Sequence, residues 1–287
     1  MQFIDSHLHL WDLSQKINSW VAKSNDPYLM QNFTLDELMG FYAKEHFLAG
    51  FITIEAADGN KTLDEVRWLS RISQSLPSNI LYKHIAHIDT TQNPEQFSKE
   101  LERFKPFDIV TGFRDICSFS ENSSYSPCST DITFNRDKLE NLEKNLRLLK
   151  QNSYIYNCQM YPDQLLRIYP IIIESKVTTI IDHCGLPLLT NDEEFTIWQS
   201  MLDKYTQSNT IFKLSGLDMN DNWDNRVKII QTMVDKVSMN KLIYGSNFPL
   251  LKKDWLNELS QLIKVHNSSE ISVEQIFLDN AIKLFHL

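Results

Sequence analysis

The chain has 287 residues, 42% hydrophobic and 23% charged, with a net charge of −9. That composition belongs to a folded globular protein and excludes a disordered or fibrous one. No Lys/Arg block is available for a nucleic-acid backbone, and no apolar run reaches the ~18–20 residues of a membrane span.

The first residues, Met1-Gln2-Phe3-Ile4-Asp5-Ser6-His7, carry neither the basic nor the apolar region of a secretory signal. Four cysteines (Cys117, Cys128, Cys158, Cys184) form no C-x-x-C pair and read as free thiols of a reducing compartment, the cytoplasm. Eight β-rich runs follow in chain order: 3–8, 49–56, 79–88, 108–114, 153–159, 177–183, 210–216 and 241–246. Most are near-continuous apolar stretches, as strands buried on both faces are. Helical patterns alternate with them. Residues 34–46 open on Thr34 with Glu37 three later, and 62–75 open the same way on Thr62 and Glu65, a capping-box spacing. Further helices are predicted at 94–104, 137–151, 162–175, 191–206, 223–237 and 252–265, with a last one at 272–285 starting on Ser272. The alternation predicts one (β/α)8 TIM barrel over residues 1–287. A doubly wound sheet would usually carry a glycine-rich nucleotide turn, and none is present. Two long segments interrupt the rhythm after strands 1 and 4. Residues 10–33 carry Trp11, Trp20 and Tyr28, and residues 115–135 are Ser-rich, including Ser123 and Ser124. In a barrel both leave the face where active sites sit.

Only seven glycines occur, and four lie in short motifs at strand ends: Gly112, Gly185, Gly216 and Gly245. They read either as ordinary turns or as strand ends that share one site. Strand periodicity sends Asp5, His7 and His9 to one face, into the barrel. Two imidazoles there can bind a divalent metal, hydrogen-bond a polar substrate, or be buried core residues. His183 ends strand 6 in position to join them. His84 and His87 have an odd spacing, so only one points inward, and it reads as structural; His46, His266 and His286 read as surface. Glu55 ends strand 2. Lys213 reads as the partner of an inward acid such as Asp5 or Glu55, with a Schiff-base lysine as the other reading. Arg114 suits a substrate carboxylate or a barrel acid equally. Trp11 and Lys213 are candidate substrate contacts. No G-x-S-x-G or H-E-x-x-H is present.

Together these residues resemble the amidohydrolase superfamily, and within it the sugar-lactone and 2-pyrone-4,6-dicarboxylate lactonases. The likeness runs through Ile4-Asp5-Ser6-His7-Leu8-His9-Leu10-Trp11-Asp12, Gly112-Phe113-Arg114, Ile181-Asp182-His183-Cys184-Gly185, Lys213-Leu214-Ser215-Gly216, Tyr244-Gly245-Ser246-Asn247-Phe248-Pro249 and Asn280-Ala281. The resemblance implies a hydrolase that opens a small, oxygen-rich, acidic lactone, so that a lactone or hydroxy acid is the expected partner. It implies that His7, His9 and His183 surround the carbonyl, with or without one zinc or manganese ion, and that Arg114 holds the substrate. No two-metal site is implied. The family pattern places an Asp base after strand 8, where this chain has Asn247. An amide cannot accept a proton near neutral pH. Three readings follow: an engineered Asp→Asn form, a diverged ligand-binding member with little turnover, or a hydrolase whose base is His183 or a metal-bound hydroxide. A metal-dependent decarboxylase is a further alternative in the same superfamily.

Overall fold

A computed structural model describes residues 1–121, 125–217, 222–253, 255–267 and 273–287. The expectations for Ser123, Ser124 and Ser272, and for the His266 side chain, lie outside the described residues. Eight strands form one parallel sheet in sequential order: β1 (Gln2–Leu8), β2 (Phe47–Ile54), β3 (Leu81–His87), β4 (Val110–Ile116), β5 (Ile155–Gln159), β6 (Thr179–Ile181), β7 (Ile211–Leu214) and β8 (Leu242–Tyr244). Backbone bonds from His9 N–H to the Phe248 carbonyl and from Asn247 N–H to the His7 carbonyl, each 2.7 Å, sew β1 to the end of β8. The molecule is therefore the expected (β/α)8 barrel.

Isoleucine builds its floor. Ile4, Ile52, Ile85, Ile155, Ile180 and Ile243 are buried together from six strands. Each fully buried side chain of this kind contributes ~1.5–3 kcal/mol. The chain's last turns, a π-helical segment Gln275–Asp279 and the following helix Asn280–Phe285, add Leu278, Ala281 and Phe285 to the same cluster and close the barrel from below. The alternate residues Phe3, Phe51, Phe113, Tyr156, Phe212 and Tyr244 face the helix layer in the larger core.

The principal helices match the sequence reading at 94–104 and 162–175, with Pro94–Phe104 and Pro162–Ser175 observed. The helix expected at 34–46 stops early, at Leu35–Phe41. Tyr42 leaves it in an extended conformation and gives its hydroxyl to Asp5 of β1. The Thr34–Glu37 pair does cap this helix, since Glu37 Oε2 accepts from the Thr34 N–H at 2.7 Å. The Thr62–Glu65 pair does not cap Thr62–Ser75. Glu65 instead reaches back to the loop after β2, where Oε1 accepts from the N–H groups of Ala56 (2.8 Å) and Ala57 (3.1 Å).

Candidate active site at the mouth of the barrel

The site begins with a register break. Ile4 points into the floor, so Asp5 falls on the helix side, where Ser246 N–H (2.9 Å), Ser246 Oγ (2.5 Å) and the Tyr42 hydroxyl reach its carboxylate. Burial raises its pKa to about 6. This corrects the expectation that Asp5 enters the barrel with the histidines. A bulge between Asp5 and Leu8 breaks simple alternation and turns His7 inward.

His7 meets a buried ionic centre. Its Nδ1 lies 3.2 Å from Asp182 Oδ1, and Lys213 Nζ lies 3.0 Å from the same oxygen. Asp182 Oδ2 accepts from Asn157 Nδ2 at 2.6 Å and from an Arg114 NH group at 3.4 Å. Four donors thus fill the roughly four lone-pair sites of one carboxylate. Burial alone would raise the Asp182 pKa; Lys213 and His7 outweigh it and hold the group well below the usual carboxylate range. Burial lowers Lys213 to about 8 against the opposing pull of Asp182. The acid that Lys213 neutralises is therefore Asp182, neither Asp5 nor Glu55. Lys213 is fully buried, with Nζ 3.5 Å from His7 Nδ1. Arg114 donates from Nε to Glu55 Oε1 at 2.8 Å and from its other nitrogens to the Glu55 carbonyl, Gln159 and Asp182. Of its two readings, the barrel acid is the one the geometry displays.

The remaining histidines ring this centre. His9 Nδ1 is held by the carbonyls of Ile54 (3.0 Å) and Glu55 (3.1 Å), which assigns its proton to Nδ1 and leaves Nε2 as an acceptor. Burial, helped by Arg114, lowers its pKa to about 3. His183 lies two residues past the end of β6, in a left-handed run through His183, Cys184, Gly185 and Leu186 with φ between 51° and 77°. Its Nδ1 is 3.0 Å from Ser215 Oγ, and burial lowers its pKa to about 4. The ring centroids of His7 and His183 are 4.5 Å apart, and those of His7 and His9 5.2 Å. Two strand-end glycines make room for them. A Cβ on Gly216 would lie 2.4 Å from His183 Nδ1, and one on Gly245 would lie 2.5 Å from His7 Cβ. Asn247 follows β8 with φ 62°, a conformation asparagine tolerates, and its buried Oδ1 has no hydrogen-bond partner.

Other expectations move. Trp11 is fully buried, with Nε1 donating to the Gln31 carbonyl (2.8 Å) and its ring packed on Trp20 and Phe33. It holds the 10–33 loop together. His84 is the buried member of its pair but faces the helix layer, bonded to Thr53 Oγ1 at 2.9 Å, while His87 shares the inner face with Ile85. The 115–135 loop does reach the site, because Tyr125 OH accepts from Gln159 Nε2 at 2.8 Å. Asp182, Asn157 and Gln159 were missed as site residues. Polar residues at 157 and 159, alternating with Tyr156 and Cys158 in a buried strand, were the available signal.

The metal set expected from sequence, His7, His9 and His183, is not the one gathered. Among the described residues His7, Asp182 and His183 each offer a ligand atom within 4.8 Å of the others. As these residues stand they do not fit a metal, because the Asp182 oxygens are already filled by four donors, two of them cations.

The sequence profile of the Amidohydrolase family matches residues 106–287, more than half of the chain. The chain belongs to the amidohydrolase family. No curated protein matches it. Among solved structures it is similar to an amidohydrolase from Burkholderia multivorans with HEPES bound, at 18% identity and TM-score 0.77, both chains covered in full. A zinc-bound crystal form of a B. multivorans amidohydrolase is similar at 17% identity and TM-score 0.74, again over 100% of both chains. A probable 2-pyrone-4,6-dicarboxylic acid hydrolase from Acinetobacter baumannii with citric acid bound has 17% identity and TM-score 0.67, over 100% of both. At these identities the likeness concerns the fold. Among the described residues no helix is long and apolar enough to cross a membrane.

Proposed function

We propose that the chain is a hydrolase that opens a small, oxygen-rich lactone by attack of water on the ring carbonyl. The observation that carries this reading is the convergence of three buried imidazoles with lowered pKa values beside Arg114 and Asn247, whose amide oxygen has no hydrogen-bond partner. Such rings are neutral at pH 7, so they accept protons and do not polarise a carbonyl as cations. His183, steadied by Ser215, takes the proton from water as the water oxygen bonds the carbonyl carbon, and gives it to the ring oxygen as the ring C–O bond breaks. The Arg114 guanidinium and the Asn247 amide supply donors to the carbonyl oxygen. The positive charges of Arg114 and Lys213 are matched by Glu55 and Asp182. This favours a neutral, hydroxyl-bearing ring over the acidic lactone expected from sequence. Small-molecule ligands are known in similar structures, HEPES in one and citric acid in another.

The test is proton release from a panel of neutral sugar lactones and pyrone carboxylates, with the chain as it stands, His183→Ala and Asn247→Asp. Turnover of a neutral lactone that falls ~10²–10⁴-fold in His183→Ala is the expected result, the usual contribution of a general base. Equal rates with and without the His183 imidazole would overturn the assignment. Asn247 favours one second reading, a ligand-binding chain with little turnover. Lactone binding without proton release, together with turnover by Asn247→Asp, would establish that reading instead.

A further inference from the structure

The Lys213 ammonium stands where electron pairs converge. Its Nζ lies 2.6 Å from Asn157 Oδ1, 3.0 Å from Asp182 Oδ1 and 3.5 Å from His7 Nδ1, with the side chain fully buried. Two of those three residues, His7 and Asp182, also belong to the only group of described residues close enough to hold a metal ion. The lysine is thus placed as a metal ion would be, fully buried between two oxygen acceptors and beside an imidazole. A divalent ion ligated by Asp182 would have to displace this ammonium or lie against it, with the Arg114 guanidinium 3.4 Å from the other carboxylate oxygen. Metal ligands need open lone pairs. Those of Asp182 are taken by His7, Asn157, Lys213 and Arg114, and the Nε2 lone pair of His7, whose Nδ1 donates to Asp182, lies 3.4 Å from an Arg114 nitrogen.

We propose that Lys213 is the resident cation of the His7–Asp182–His183 group, that it keeps a divalent metal out, and that removal of its charge turns the group into a zinc site. Methionine has similar length and shape without the ammonium, so Lys213→Met frees Asp182 Oδ1 and Asn157 Oδ1 with little change in volume. The readout is bound metal, so the proposal stands or falls separately from lactone hydrolysis.

The experiment strips each protein with a chelator, dialyses it against zinc and measures zinc per folded chain. Wild type is expected to hold no zinc that depends on His183. Lys213→Met is expected to gain one zinc per chain, bound roughly 10–100-fold more tightly than by wild type, and Lys213→Met/His183→Ala to lose it. A wild-type zinc that His183→Ala removes overturns the proposal. So does a folded Lys213→Met, judged by circular dichroism, that binds no more zinc than wild type. If Lys213→Met does not fold, wild type and His183→Ala decide between them. Zinc lost with His183 refutes the lysine as resident cation, and the absence of such zinc upholds it.

Discussion

Asp182 carries more of the site than any histidine does. It is fully buried and bonds to Lys213, His7, Asn157 and Arg114. Breaking one side of a buried ion pair strands the other charge. Asp182→Asn is therefore expected to lose ~3–5 kcal/mol of stability, read as the shift in urea unfolding midpoint. Adding Lys213→Met to it should recover part of that loss, because the stranded charge goes too. The sequence exposed the histidines because an H-x-H spacing is visible in a string. Asp182 was written beside His183 and still escaped, since its importance lies in partners 25, 31 and 68 residues away. Asp5 misled for a related reason: alternation was read through a bulge, and bulges leave no mark in residue order.

Among the elements, the helix Thr62–Ser75 shows how tertiary need overrides a local rule. Its extent followed from periodicity, but Glu65 was drawn away from its capping duty by two orphan N–H groups after β2. That loop carries the Glu55 and Ala56 carbonyls that hold His9 and Asn18. Burial and the nearby Glu55 raise the Glu65 pKa to about 8. Its unbonded Oε2 faces the equally unbonded Nε2 of His84 at 3.9 Å. Folded Glu65 keeps a proton that the unfolded chain loses near pH 4.5, so the contribution of Glu65 to stability falls as pH rises from about 4.5 to about 8, by up to ~1.4 kcal/mol per pH unit. Glu65→Gln keeps an acceptor for the loop and offers His84 a donor. It should abolish that slope and be at least as stable as wild type at pH ~8, as measured by urea midpoints across the window. Helix ends were the least legible part of the fold. The helix expected at 34–46 stops at Phe41 because Tyr42 is needed by Asp5, a demand made from a strand 37 residues earlier.

For the whole molecule, the eight strands and their order were legible because apolar runs and helical periods alternate through the chain. The floor of isoleucine was not legible, because alternation that sends Asp5 inward would turn Ile4 outward. What the barrel buries also sets its response to acid. His7, His9, His84 and His183 are all held neutral by burial, with His9 and His84 lowered to about 3 and His183 to about 4. The unfolded chain protonates all four near pH 6.5, so their contribution to stability is lost as pH falls below that value. Asp5 and Glu65, raised to about 6 and about 8, act in the opposite direction. Burial also raises Asp115, but the four histidines outnumber these carboxyls, so the unfolded state binds more protons between pH ~4.5 and ~6 and stability falls as pH falls there. Calorimetric melting temperatures should fall steeply across that interval, and a flat profile there would contradict the neutral-histidine arrangement.

The seam between β1 and the end of β8 has a consequence in time. His7 and His9 leave the ribosome about 240 residues before their backbone partners Asn247 and Phe248. At ~5–20 residues per second, the histidines wait roughly 10–50 s for the backbone that fixes them. A nascent chain can pair early strands and bury much of their apolar surface, yet the ring of imidazoles is not assembled until that last seam closes. The site is thus a late product of synthesis, and its appearance marks the completion of the barrel.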